Sequence, residues 1–187
     1  KTKNNFKIAS KIEEFILRLD YYTTGMRGRF INHPSQPLGD FDFLQIDFGF
    51  LQQDQNKDLL NIVAVSYLSK ILAIAEKGRG SNRPMHCFID EAHIFLKSKG
   101  VTEFIVLMSK VSRKYGLWLI PATQNIQDFS SEESKKVLSM METWICLGLS
   151  RSEINEIEKI RSLSPEAIAM IENIKPQKGV FSEAVLL

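Results

Sequence analysis

The sequence predicts an α/β fold: a mainly parallel sheet flanked by helices on both faces. Three observations lead to it. Short apolar runs alternate with helix-patterned segments through the second half of the chain, the signature of strands joined by crossover helices. The run Met85-His86-Cys87-Phe88-Ile89 stops abruptly at two adjacent carboxylates, Asp90 and Glu91. After one crossover, the run Leu117–Ala122 stops at Thr123 and Gln124. Buried parallel strands read as continuous apolar runs, and open α/β sheets bind ligands at the carboxyl ends of their strands.

Along the chain, Ser10–Asp20 reads as a helix with Ile12, Phe15, Ile16 and Leu19 on one face. Gly25–Gly28 and Asn32–Pro37 carry loop signals, and Phe43–Phe48 reads as a strand. Asp54–Lys77 is a long helix, apolar on most sides and expected to be buried on more than one. Gly78–Pro84 is a loop leading into the acid-tipped strand. The helix Val101–Tyr115 places Phe104, Leu107, Met108, Val111 and Tyr115 at helical spacing. Ser130–Glu133 reads as a capping box opening a helix that runs to Met141, and Ser150–Glu153 as a second box opening a helix with Ile154, Ile157 and Ile160. Between them Thr143–Leu149 is a strand. Ser164-Pro165 starts a short helix with proline at its first position, and Gly179–Leu187 is a terminal strand free to run antiparallel.

Composition bounds the reading. A chain of 187 residues, 44% hydrophobic and 25% charged, has the make-up of an ordinary globular domain with a real core. Asn61, Ser66, Ser69 and Lys70 interrupt the most apolar segment, Leu59–Ala75, so no stretch is expected to reach membrane-spanning length. Cys87 and Cys146 fall in core strands and read as buried free thiols, compatible with a reducing cytoplasm. The histidines His33, His86 and His93 have no ligand-like spacing with them, so no zinc site is expected. The net charge of +2 selects no partner class. Residues 1–30 hold seven Lys/Arg against three Asp/Glu and residues 31–60 one against five; a basic segment of this kind suits nucleic acid or an acidic partner, but a solvated helix face is the plainer and preferred reading.

The paired acids are the first chemical candidates. In phosphoryl-transfer ATPases the first acid of such a pair holds Mg²⁺ and the second positions or deprotonates the attacking water. Gln124, at the neighbouring strand end, is an amide able to donate to a γ-phosphate oxygen and accept from that water. Arg113, beside Lys114 at the end of the crossover helix, could project a guanidinium into a neighbouring subunit's phosphate site. The plainer readings are an acidic first helix turn, a polar loop residue and a cation at a helix C-terminus. No Gly-x-x-x-x-Gly-Lys-Ser/Thr loop occurs, and Gly78-Arg79-Gly80-Ser81 lacks its spacing.

Phe88-Ile89-Asp90-Glu91-Ala92-His93, then Ser112-Arg113-Lys114-Tyr115-Gly116, then Ala122-Thr123-Gln124-Asn125-Ile126-Gln127-Asp128-Phe129, in this order and spacing, resemble the TraC-like ATPases of conjugative transfer and type IV secretion. Met140–Leu147, Leu163–Glu166 and Gly25–Phe30 are similar to further stretches of that family, so the resemblance runs from about Tyr21 to the end. It implies part of a RecA-like P-loop fold, with residues 1–40 a helical and loop lead-in and 41–187 the sheet core. It implies ATP and Mg²⁺ as cofactors, Asp90 and Glu91 as the Walker B pair with Asp90 on the metal, Gln124 on the nucleotide and Arg113 as a catalytic arginine. It also implies a hexamer at the cytoplasmic face of the bacterial inner membrane, with the secretion channel, coupling proteins and transferred DNA or protein as partners. The family's Walker A loop and N-terminal domain are expected to precede Lys1. His93 stands where the family often has an aromatic residue, a position expected to pack rather than react. Two other readings remain: a non-catalytic assembly or docking module of the same apparatus, and a fragment of a superfamily 2 helicase, whose box Asp90-Glu91-Ala92-His93 spells.

Residues 1–187 purified alone are expected to hydrolyse ATP negligibly, because the sequence offers no phosphate loop to hold the β- and γ-phosphates. Phosphate release measured with and without Mg²⁺ checks this; robust metal-dependent turnover would contradict it.

Overall fold

The computed structural model describes residues 2–34, 37–39, 41–81, 83–124, 126–129, 131–175 and 177–187, with backbone alone at 2–6 and 128. The chain forms two compact units, 1–70 and 71–187, the division falling inside one long helix.

In the first unit, helix α1 (Thr2–Thr23) is longer than its apolar pattern indicated, and its face of Ile12, Phe15, Ile16 and Leu19 is exposed. The expected loop at Gly25–Gly28 is instead a second helix, α2 (Gly25–Ile31). The glycines serve the corner between the helices. Gly25 has φ +58°, and a Cβ on Gly28 would lie 2.3 Å from the carbonyl oxygen of Thr23. Arg27 ties the corner down: its Nη2 donates to the Gln55 carbonyl at 2.8 Å and its guanidinium lies 4.2 Å from the Tyr21 ring centre. Phe43–Phe48 pairs with no described strand, and Phe43 and Leu44 are exposed. The segment ends where Asp47 Oδ1 accepts from the Gly49 amide at 2.7 Å, an Asx turn that diverts the backbone into a 3₁₀ turn. Ser35 and Gln36 of the expected loop lie outside the described residues.

Helix α3 (Lys57–Lys77) follows a 3₁₀ turn at Asp54–Asn56. Its burial is narrower than expected: Leu60, Ala64, Leu68 and Ala75 recur along one stripe, while Ile62 is exposed. By length and composition alone, Asp54–Lys77 is long and apolar enough to cross a membrane, contrary to the expectation from its interrupting polar residues. Core helices of soluble proteins pass the same test.

The second unit contains the parallel pair. Strand β1 (Met85–Ile89) lies beside β2 (Leu117–Pro121), with Met85 opposite Leu117 and Ile89 opposite Pro121. Between them run α4 (Ala92–Leu96), α5 (Lys99–Val111) and a 3₁₀ turn at Ser112–Tyr115. Asn82, in the loop before β1, lies outside the described residues. Cys87, Ile89 and Leu117 point into the core, whereas Phe88 and Trp118 are 72% and 63% exposed. The strands are therefore covered on one face rather than both. On α5 the buried residues are Val101, Thr102, Ile105 and Met108, not the expected set through Leu107 and Val111. The helix stops at Val111 and tightens to 3₁₀, which shifts the phase of everything beyond it. Thr102 is buried without penalty because its hydroxyl donates to the carbonyls of Leu96 (3.1 Å) and Ser98 (2.9 Å). Helix α6 (Glu132–Ser139) packs on α5. Its N-cap is Ser131, whose Oγ accepts from the Ser134 amide at 3.0 Å; Glu133 then falls at the second helical position, so the described residues form a serine cap in place of the expected box, and Ser130 lies outside them.

The C-terminal part is built on a second, antiparallel pair, β3 (Ile145–Cys146) with β4 (Val185–Leu186). Both are far shorter than the expected strands. Helices α7 (Arg151–Glu158) and α8 (Pro165–Glu172) cover it, burying Cys146, Ile154, Ile157, Ile171 and Val185 together. The predicted box at Ser150–Glu153 is complete: Ser150 Oγ accepts from the Glu153 amide, and Glu153 Oε2 accepts from the Ser150 amide at 2.8 Å. The Ser150 hydroxyl also donates to Glu153 and holds its carboxyl below the ordinary range. Pro165 occupies the first position of α8, as expected. Both cysteines are buried and free, as expected, and burial pushes the Cys87 thiol up to about 11.

Ile154 is fully buried in this cluster, while Leu147 is 57% exposed. Ile154→Ala is expected to lower unfolding free energy by about 2–5 kcal/mol and Leu147→Ala by less than about 1 kcal/mol. Urea unfolding of both variants checks the difference.

Candidate functional site

The site grows out of the carboxyl ends of β1 and β2. One residue on β2's side, Ala122, stitches them: its amide donates to the Ile89 carbonyl at 2.9 Å, and its carbonyl accepts from the Ala92 amide at 2.8 Å. Between those two bonds the chain after β1 must turn sharply. Glu91 does so in the left-handed region, φ 48° and ψ 44°, the only positive-φ non-glycine residue among those described. Such a conformation costs an L-residue about 1–2 kcal/mol and persists only where surrounding bonds impose it. Asp90 supports the turn by accepting the Glu91 amide on Oδ1 at 2.9 Å.

The turn aims the Glu91 carboxylate across to the neighbouring strand end. Gln124 Nε2 donates to Glu91 Oε1 at 2.5 Å. His93, one residue into α4, brings Nδ1 to 3.2 Å from Glu91 Oε2, and Thr123 Oγ1 lies 3.4 Å from the same nitrogen. Gln124 thus bonds one carboxylate oxygen, and the His93 ring lies beside the other. The side chains of Glu91 and His93 are 29% and 18% exposed, and Asp90 and Gln124 are solvent-exposed. This half-open, polar edge can hold a proton-accepting carboxylate in a defined orientation.

Of the four residues singled out from sequence, Asp90, Glu91 and Gln124 therefore share one edge. Arg113 does not join them. It lies in the 3₁₀ turn that precedes β2, at the opposite end of that strand, and pairs on the surface with Glu142. Four residue steps of β2 put on the order of 13 Å between the two ends. Asn125 of the same string lies outside the described residues, as does the side chain of Asp128. Sequence reasoning missed His93 and Thr123. His93 was expected only to pack, yet it reaches the Glu91 carboxylate. The sequence did hold a signal: a polar ring two residues after the second acid, beside a strand end closing on Thr-Gln.

No group of three or more His, Cys, Asp or Glu among the described residues could hold a metal ion by itself. A single strand-end carboxylate such as Asp90 does suit Mg²⁺ that arrives with phosphate oxygens and water as its remaining ligands.

Fold and site together define an α/β protein with an acidic, amide-faced strand edge. No protein-family model matches the chain, and no curated protein matches it in sequence. Among solved structures it is similar to VirB4 of Thermoanaerobacter pseudethanolicus, a type IV secretion ATPase, with a TM-score of 0.72 at 22% sequence identity. The alignment covers 92% of this chain and 47% of that one, so the chain spans about half the length of the protein it matches. The likeness at this identity is one of fold, and it falls on the family that the sequence motifs resemble.

The left-handed turn has a measurable cost. Glu91→Gly and Glu91→Ala both remove the carboxylate, but only glycine relaxes the backbone. Glu91→Gly is expected to be the more stable of the two by about 1 kcal/mol, after allowance for glycine's greater unfolded-state freedom. Denaturant titration of the two variants side by side checks it.

Proposed function

We propose that this chain is part of the RecA-like motor domain of a type IV secretion or conjugation ATPase, coupling ATP hydrolysis to transfer of DNA or protein or to channel assembly. The observation that carries the reading is the meeting of Glu91 and Gln124 at 2.5 Å, from two parallel strand ends joined by a helical crossover. The fold likeness to VirB4 supports it.

In this reading Glu91 is the general base. It accepts a proton from water as the water oxygen attacks the γ-phosphorus of ATP, and ADP departs. Gln124 orients that water and reports the γ-phosphate, exchanging its bond to Glu91 for one to the nucleotide. Asp90 would hold Mg²⁺, directly or through water, and the ion when bound would supply charge neutralisation for the phosphates. Arg113 serves a neighbouring subunit: its place at the far end of β2 from Glu91 suits an arginine acting in trans within a hexamer, once it leaves Glu142. The β- and γ-phosphates are gripped by a phosphate loop outside residues 1–187. The assembly works at the cytoplasmic face of the inner membrane, against channel and coupling proteins.

The competing reading is a docking module of the same apparatus with no catalysis. Glu91→Gln in the complete protein separates the two. It is expected to reduce ATP turnover at least about 100-fold while leaving nucleotide binding nearly intact, read by steady-state hydrolysis and by titration with a fluorescent ATP analogue. Unchanged turnover would reject Glu91 as the base and favour the docking module.

A further inference from the structure

Gln124 bonds the Glu91 carboxylate at Oε1, and the group beside Oε2 is His93. Its Nδ1 is 3.2 Å from Glu91 Oε2, within 3.4 Å of Thr123 Oγ1, and its side chain is only 18% exposed. One proton on Nδ1 decides what the ring does. With Nδ1 protonated, the imidazole donates to the carboxylate and Thr123 is left to bond elsewhere. With Nδ1 bare, it can only accept from the threonine hydroxyl, and it then faces the carboxylate lone pair to lone pair.

We propose that His93 is a positioning residue for Glu91: its Nδ1–H donates to Oε2 and fixes the carboxylate rotamer, so that Oε1 alone is presented to Gln124 and to the attacking water. The inference rests on Glu91 being the base. Its logic is geometric. Glu91 sits on a strained left-handed turn with a flexible side chain, and a base misplaced by a fraction of an ångström loses most of its advantage. An aromatic ring at position 93 would fill the same space without any bond to the carboxylate.

Three substitutions in the complete protein test this. His93→Phe keeps the bulk and removes the donor. His93→Asn places an amide nitrogen close to where Nδ1 stood, and His93→Gln places one nearer Nε2. His93→Phe is expected to lower kcat about tenfold with KM for ATP within about twofold, a fraction of what a positioned base contributes. His93→Asn is expected to recover kcat to within about threefold of the parent, and His93→Gln is not. Full kcat in His93→Phe, or no recovery in His93→Asn, would overturn the proposal while leaving Glu91 as base. Turnover persisting in Glu91→Gln would instead remove the reading beneath it. A measurement on residues 1–187 does not depend on activity or on a variant's folding: ¹⁵N spectroscopy of labelled histidine at neutral pH. His93 is expected to carry a proton on Nδ1, and a resonance pattern showing Nδ1 bare would overturn the proposal.

Discussion

Everything at the candidate site follows from the parallel pairing of β1 with β2. Side-by-side parallel strands cannot be joined by a tight turn; they need a crossover, here supplied by α4, α5 and the 3₁₀ turn after them. That requirement separates Glu91 from Gln124 by 33 residues in sequence yet returns both to one edge. The ladder register, with Ile89 opposite Pro121, then leaves the next few residues of each strand free to face one another. Ala122 closes the pairing from both sides, and the left-handed turn at Glu91 is what remains when the chain must leave a strand and enter a helix within two residues.

The same constraint separates the cation from the acids. A crossover helix in a parallel unit runs back to the starting end of the next strand, so a residue at its C-terminus is placed at the edge opposite the carboxylates. Arg113 occupies that place, and its exposed pairing with Glu142 contributes little to stability. A guanidinium in this position stands at the far end of β2 from the Glu91 carboxylate, and that separation is a consequence of topology rather than of any single contact.

Exposed apolar surface accompanies this arrangement. Phe88 and Trp118 project from one face of the parallel pair, Ile145 and Leu186 from the antiparallel pair, and Ile12, Phe15 and Ile16 from α1. Parallel strands are ordinarily covered on both faces. The chain spans about half of the VirB4 chain to which it is similar, and the alternation of buried Cys87 and Ile89 with exposed His86 and Phe88 shows one completed face.

Local chemistry was legible in the sequence by itself. The parallel relation of two strands is legible from the crossover between them, and the acid-tipped run, the capping box at Ser150–Glu153 and proline at the start of α8 depend on a few adjacent residues; all of these hold in the structure. Of the four groups expected to converge on one cleft, Asp90, Glu91 and Gln124 share an edge and Arg113 lies at the other end of β2. Where partners lie far apart in sequence, only the tertiary structure decided. Phe43–Phe48 has strand-like composition, but a strand exists only with a neighbour to accept its hydrogen bonds, and none of the described residues does so. Gly25 and Gly28 look like breakers, yet they permit a tight helix corner whose crowding comes from Thr23. The covered stripe of α5 runs through Val101, Thr102, Ile105 and Met108 rather than Leu107, because which face of an apolar helix is buried depends on the elements packed on it, here α6 among them. His93 was read as packing because its role depends on an oxygen of Glu91 whose direction is set by a left-handed backbone turn. Residue type and spacing determine which groups are available and on which element. Which atoms meet is fixed by long-range hydrogen bonds and packing, and those are properties of the folded chain alone.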